Sequence, residues 1–239
     1  MTSKLSKFLK SPGYSNAREL LLTSRIKYDM LLAAAVRGED LLIYTPTVDC
    51  DGFDLIFDDR RTRVPIQLKS VAGKTNSWEI HRKLIRPPFS NLEGFRLHSP
   101  SYGAGRGGGI LLVDIKEEHH GESLEISYFY SDFLIIHLFL ENLIQPKKIP
   151  PFKIDALKYE IIDQMDGKFN LPKWAFVKAK SPEHLLALAG LGSRVGGLWR
   201  EYMYELLSGK NIPNYQSAFG SEYEMREYIK EHVTKLIGN

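Results

Sequence analysis

The sequence predicts an α/β (α+β) chain with a mainly helical C-terminal part. A long helical period opens the chain, short apolar or alternating runs fill its middle, and capped helical stretches close it. With 239 residues, 43% hydrophobic and 26% charged, the composition excludes a wholly disordered, collagen-like or disulfide-stapled protein. That length buries a core without a metal or cross-link to hold it.

From Asn16 to Val36, Ala17, Leu20, Leu21, Ile26, Met30 and Leu31 recur every three or four residues, and Gly38 supplies a stop. Leu41–Tyr44 is a short apolar strand ended by Pro46. Phe53–Phe57 and Arg63–Lys69 follow as two strands joined by the polar segment Asp58–Thr62; Pro65 favours an edge or a bulge. A further strand is expected over Ser77–Leu84, with Trp78, Ile80 and Arg82 on one face. Gly109–Ile115 reads as a fully buried strand and Leu124–Tyr130 as its neighbour, with Ser131 capping a helix over Phe133–Leu143.

Paired prolines at Pro150–Pro151 resist both helix and central strand, so the chain divides into a core domain at 1–150 and a mostly helical extension at 151–239. In the extension, helices are expected from Ser181 through Leu188 and over Trp199–Leu207. The last helix carries a capping box at Ser221 and Glu224, with Met225, Ile229 and Val233 on one face.

Thirty-two Lys and Arg against 29 Asp and Glu give a net charge of +3, too small a bias to name a partner. Position is more informative than the total. Between Arg60 and Arg86 eight basic side chains are opposed by Glu79 alone, a local +7. Such clustering suits phosphate neutralisation, and Arg60, Arg61, Lys74, Arg82, Lys83 and Arg86 are the candidate nucleic-acid contacts. Cys50 is the single cysteine, so no internal disulfide forms and a reducing setting is expected. Phe133–Leu140 is too short to span a bilayer, so the expectation is a cytoplasmic protein with no membrane partner.

The chemistry concentrates in Pro46–Ser70. Asp49, Asp51 and Asp54 crowd before an apolar strand, although aspartates beside Gly52 are more often turn formers. Gln67 and Lys69 share one face of the following strand, with Leu68 turned into the core. A hairpin symmetric about Arg60 and Arg61 sets Asp54 directly across from Gln67, about 5 Å away at Cβ. A carboxylate, an amide oxygen and an ammonium so arranged suit metal-assisted phosphodiester hydrolysis: a hard cation takes oxygen ligands and the ammonium offsets developing charge.

Asp54 followed by Gln67-Leu68-Lys69, behind a helix bearing an acidic residue, resembles the PD-(D/E)xK nuclease superfamily, in the branch whose second motif reads QxK. The resemblance covers the first half of the chain. It implies a restriction-endonuclease-like fold, a mixed central sheet flanked by helices with a core of helix, strands, helix and strand. It also implies a metal-dependent DNA endonuclease using Mg²⁺ or Mn²⁺. Asp54, Glu19 and Gln67 would bind the metal, and these three with Lys69 would form the catalytic set.

An amide at position 67 carries no charge, which weakens metal binding and leaves a second reading open: a catalytically inactive nucleic-acid-binding module. A third is a structural or protein-interaction domain in which Asp54 and Lys69 are only an ion pair. RNA stays open beside DNA as partner, and cutting both strands of a duplex suits a homodimer. The glycines from Gly103 to Gly108 match GxGxxG but precede a strand, so a loop is the better reading. His119–His120 lack further ligands, and Glu39 and Asp40 rival Glu19 for the acidic role.

Overall fold

The computed structural model describes residues 3–46, 52–71, 75–87, 105–118, 123–144, 149–162, 167–192, 197–208 and 217–237. The readings of Asp49, Cys50, Asp51, Lys74, Gly103 and His119–His120 lie outside those residues. Helix α1 (Lys4–Lys10) is capped by Ser3, whose hydroxyl accepts from the Ser6 amide at 2.9 Å. Helix α2 (Ser15–Arg37) ends at Gly38, whose φ of 66° is the left-handed conformation a helix stop requires. Its buried face is Leu22, Ile26, Asp29, Met30, Ala33 and Ala34. Leu20, Leu21 and Leu31, which share the apolar period, are exposed. The helix is apolar on two sides, and a 3.6-residue period cannot say which one is inward.

Strands β1 (Leu42–Tyr44), β2 (Leu55–Asp58) and β3 (Arg63–Ser70) form an antiparallel meander. Its second turn is held by carboxylates: Asp58 Oδ1 accepts from the Arg60 amide at 2.7 Å, and Asp59 Oδ1 from the Arg61 and Thr62 amides. The next strand, β4 (Ser77–His81), is shorter than expected, because Arg82 begins the one-turn helix α3 (Arg82–Ile85). Strand β5 (Gly109–Glu118) then pairs parallel with β3, and β6 (Ser123–Asp132) antiparallel with β5.

Helix α4 (Phe133–Leu140) is capped by Asp132 and not by Ser131: Asp132 Oδ1 accepts from the Ile135 amide at 2.9 Å, while the Ser131 hydroxyl donates to Ala175 O. Pro151 does not break helix but starts one, α5 (Pro151–Ile162), since the first turn needs no amide from it. Two strands the sequence reading lacked follow. Strand β7 (Lys168–Pro172) pairs with β4 in a two-stranded sheet, and β8 (Val177–Lys178) joins the main sheet beside β6. Helices α6 (Pro182–Leu188), α7 (Gly197–Ser208) and α8 (Glu222–Ile237) complete the chain. Ser181 and Ser221 cap α6 and α8 as expected.

The result is a mixed sheet in the order β1-β2-β3-β5-β6-β8, flanked by helices. Alternation divides its side chains between two cores. Val64, Ile66, Leu111 and Val113 face α2, α6, α7 and α8, joining Ile26, Met30, Leu185, Met203, Ile229 and Val233. Ile110 and Leu112 face the other way, toward Trp78, Ile80, Leu171, Leu157 and Ile161 of the small sheet and α5. Residues on both sides of Pro150 therefore fill the same cores. No helix among the described residues is long and apolar enough to cross a membrane.

A buried polar knot ties the sheet to the C-terminal helices. Asp132 accepts from the Tyr130 hydroxyl at 3.2 Å and pairs with the Arg200 guanidinium, which also donates to Leu188 O at 2.7 Å. Nearby, burial pushes the His137 imidazole down to about 4. The ring is 1% exposed, and its Nδ1 donates to Phe133 O at 2.8 Å. Unfolded, it titrates near 6.5, so the unfolded chain takes up the proton first on acidification. Stability should therefore be full above about pH 6.5 and fall toward about pH 4, by on the order of 3 kcal/mol. Urea titrations across that range read this loss, and His137→Leu should flatten it.

Candidate active site

The hairpin register puts the sequence motif in one place. Leu55 pairs with Ile66 and Asp58 with Arg63, so the next position along the ladder sets Asp54 across from Gln67, as the turn symmetry anticipated. Asp54 is fixed there twice: its amide donates to Ile66 O at 2.8 Å, and its Oδ2 accepts from the Leu68 amide at 2.6 Å. Leu68 turns into the core under α2.

A cleft of about 190 Å³ lies between the N-terminal half of α2 and this end of the sheet. Glu19, Asp54 and Lys69 all line it, together with Arg18, Leu22, Thr23 and Ser70. Glu19 is thus brought to the motif, whereas its rivals are engaged elsewhere: Glu39 pairs with Arg37 at 2.9 Å and Asp40 with Arg60 at 3.4 Å. Among the described residues Lys69 makes no hydrogen bond or ion pair. Its charge still reaches Glu79, whose carboxyl sits below the usual range, chiefly through its 2.8 Å bond to Lys168 and only secondarily through Lys69.

Gln67 does not line the cleft. It leaves β3 on the face opposite Leu68 and lies against Gly52, where a Cβ would come within 3.2 Å of Nε2 and 3.7 Å of the His81 Cβ. Gly52, at φ 75°, leaves that space to the amide. Gln67 Oε1 is buried without a hydrogen-bond partner, and so is His81 Nδ1. Among the described residues no three His, Cys, Asp or Glu side chains gather into a metal cage, so a cation here would need an amide oxygen and water to complete its shell.

The basic stretch is dispersed. Arg60 and Arg61 are exposed, but at the turn of the hairpin, six strand positions or roughly 20 Å from Asp54 and Gln67. Arg82 is only 7% exposed: it donates to Glu160 O at 3.0 Å and Lys168 O at 2.8 Å, pairs with the Glu160 carboxylate and joins α5 to β7. Arg86 is buried too, and Lys83 is exposed. Arg82 and Arg86 therefore leave the surface patch that counting charges along the chain had suggested. The glycine loop spends its amides on carbonyls, with Gly107 donating to Arg86 O and Gly108 to Leu84 O at 2.7 Å each.

Arg18, Thr23 and His81 are the polar residues near the motif that the sequence reading missed. A signal existed for Arg18. It stands one turn before Leu22, on the stripe that also carries Glu19 and Ile26. One guanidinium nitrogen, Nη1, is held by Leu9 O at 2.8 Å and Ser11 O at 3.4 Å. His81 carried no such mark, because β4 was read through to Leu84. The chain matches no family model, no curated protein and no solved structure.

The Asp54 carboxylate has a structural task that any substitution must respect. Asp54→Ala should lower stability by about 1 kcal/mol through loss of the bond from the Leu68 amide. Asp54→Asn, which keeps an acceptor oxygen, should lose clearly less; paired urea denaturation curves compare the two.

Proposed function

We propose that this protein is a metal-dependent DNA endonuclease of the restriction-endonuclease-like fold, working in the cytoplasm. The observation that carries the reading is the cleft in which Glu19, Asp54 and Lys69, distant in sequence, meet at one end of the sheet. The element order supports it: a helix, an antiparallel three-strand meander, a connection containing α3, and a strand parallel to the third.

The donors present fit a hard cation. Asp54 and Glu19 offer carboxylate oxygens in the cleft; Gln67, outside the lining, keeps a buried amide oxygen that accepts no hydrogen bond and would join them only by turning toward Asp54. Mg²⁺ or Mn²⁺ bound there would polarise a phosphate and acidify a coordinated water. The chain's own residues supply the rest. Lys69 holds a positive charge where charge develops on the phosphate in the transition state. Arg18 presents its remaining guanidinium donors to a phosphate oxygen from the helix side of the cleft. The Leu68 amide fixes the Asp54 carboxylate, so the group needs little reorganisation on binding.

A second reading, a nucleic-acid-binding module without catalysis, draws on the uncharged side chain at position 67 and the lack of a three-acid cluster among the described residues. Plasmid, single-stranded DNA and RNA incubated with Mg²⁺ or Mn²⁺ separate the two. Wild type should nick or cut DNA only with the metal. Lys69→Ala and Asp54→Asn should each lose activity by ~10²–10³-fold with the fold intact by circular dichroism. Gln67→Glu, which adds a charge to the donor set, should bind Mn²⁺ more tightly in calorimetry. Wild type that binds DNA but neither cleaves it nor takes up Mn²⁺ would establish the second reading instead.

A further inference from the structure

Helix α2 carries a second apolar face that none of the described residues covers. Ala17, Leu20, Leu21, Ser24, Tyr28, Leu31, Leu32, Ala35 and Val36 are all exposed, and at 100° per residue they lie on one side of the helix. Leu20 is 69% exposed, Tyr28 62%, Leu32 49% and Val36 73%. The seam at its centre, Ala17, Leu21, Ser24, Tyr28, Leu31 and Ala35, contains no charged residue. The cations at its margins are engaged, Arg25 by Asp29 at 2.8 Å and Lys27 by the Thr45 hydroxyl at 2.7 Å, which gives no basic fringe for an anionic membrane surface. A helix apolar on both faces is ordinarily covered on both.

Two properties point to a second copy of this chain as the cover. The first is size. The six large side chains of the stripe expose roughly 700 Å², close to the roughly 800 Å² per partner of a standard-sized interface. The second is self-complementarity. Ala17, Leu21, Ser24, Tyr28, Leu31 and Ala35 are spaced four and three residues apart in strict alternation, the seam of an antiparallel helix pair. With a two-fold axis beside position 26, Leu21 of one copy meets Leu31 of the other. Ser24 then meets Tyr28, a small residue opposite a large one, and Ala17 meets Ala35. A two-fold contact demands such a match of a surface with itself. We propose that the protein forms a homodimer through its α2 helices, packed antiparallel along this stripe.

The proposal does not depend on the nuclease reading, and its test reads mass, not activity. Light scattering after size exclusion should give wild type twice 27.3 kDa at about 100 μM. Leu21→Glu and Leu31→Lys alter only exposed positions, so each should keep the wild-type circular dichroism spectrum and run as a monomer. Mixed in equal amounts they should form a dimer, because Glu at 21 of one chain then faces Lys at 31 of the other. Monomeric wild type overturns the proposal and leaves the stripe to a different protein. Single variants that remain dimeric overturn it by placing the contact elsewhere, and a mixture that stays monomeric overturns the antiparallel pairing.

Discussion

The docking of α2 on the central sheet is the constraint on which the candidate site depends. Its inner face shares one core with Ile66, Leu111 and Val113. Apolar packing alone lets a helix slide or roll by small amounts. The buried bond from the Tyr128 hydroxyl to Asp29 Oδ2, at 2.6 Å, removes that freedom, since the same carboxylate is gripped by Arg25. Burial and the adjoining carboxylate both push the Tyr128 hydroxyl up, so it stays a neutral donor. Ten residues earlier, about 15 Å along the axis, Glu19 is thereby held beside Asp54 and Lys69.

The hairpin contributes the complementary constraint. Each side chain of β3 is assigned to a face by alternation, so Leu68 anchors the strand under α2 while Gln67 leaves on the far side, and Lys69 reaches the cleft where β2 no longer flanks the strand. Polar chemistry is admitted only at the end of the sheet, where β2 begins and the helix rises above it. Charges elsewhere in the neighbourhood are structural. Arg82 stitches α5 to β7, Arg200 joins α7 to Asp132, and Arg63 grips Asp58 at 2.6 Å across the base of the hairpin turn.

Much of this geometry was legible in the sequence, for local reasons. The Asp54–Gln67 pairing followed from the midpoint of a short turn, and α2, β5 and the caps at Ser181 and Ser221 from period and side-chain chemistry. What could not be read was set by distant partners. A lone apolar period cannot tell which face of α2 is inward, and Arg82 looks like a surface cation until Glu160 and Lys168 close around it. Strand β8 spans only Val177–Lys178, too short for any pattern, and exists because β6 offers it an edge. Asp132 and not Ser131 is the cap of α4, and the serine hydroxyl bonds Ala175 O across the fold instead.

The shared core has a consequence for how the molecule comes apart. Met225, Ile229 and Val233, near the C-terminus, pack in the same cluster as Ile26 and Ile66, and β8 completes the far side of the sheet. Melting the last helix would strip cover from the sheet that supports the cleft. Local opening is confined to segments that bury little, such as α1 and the hairpin tip at Arg60–Arg61. Amide exchange in β3 and β5 is therefore expected to require loss of packing contributed by both halves of the sequence.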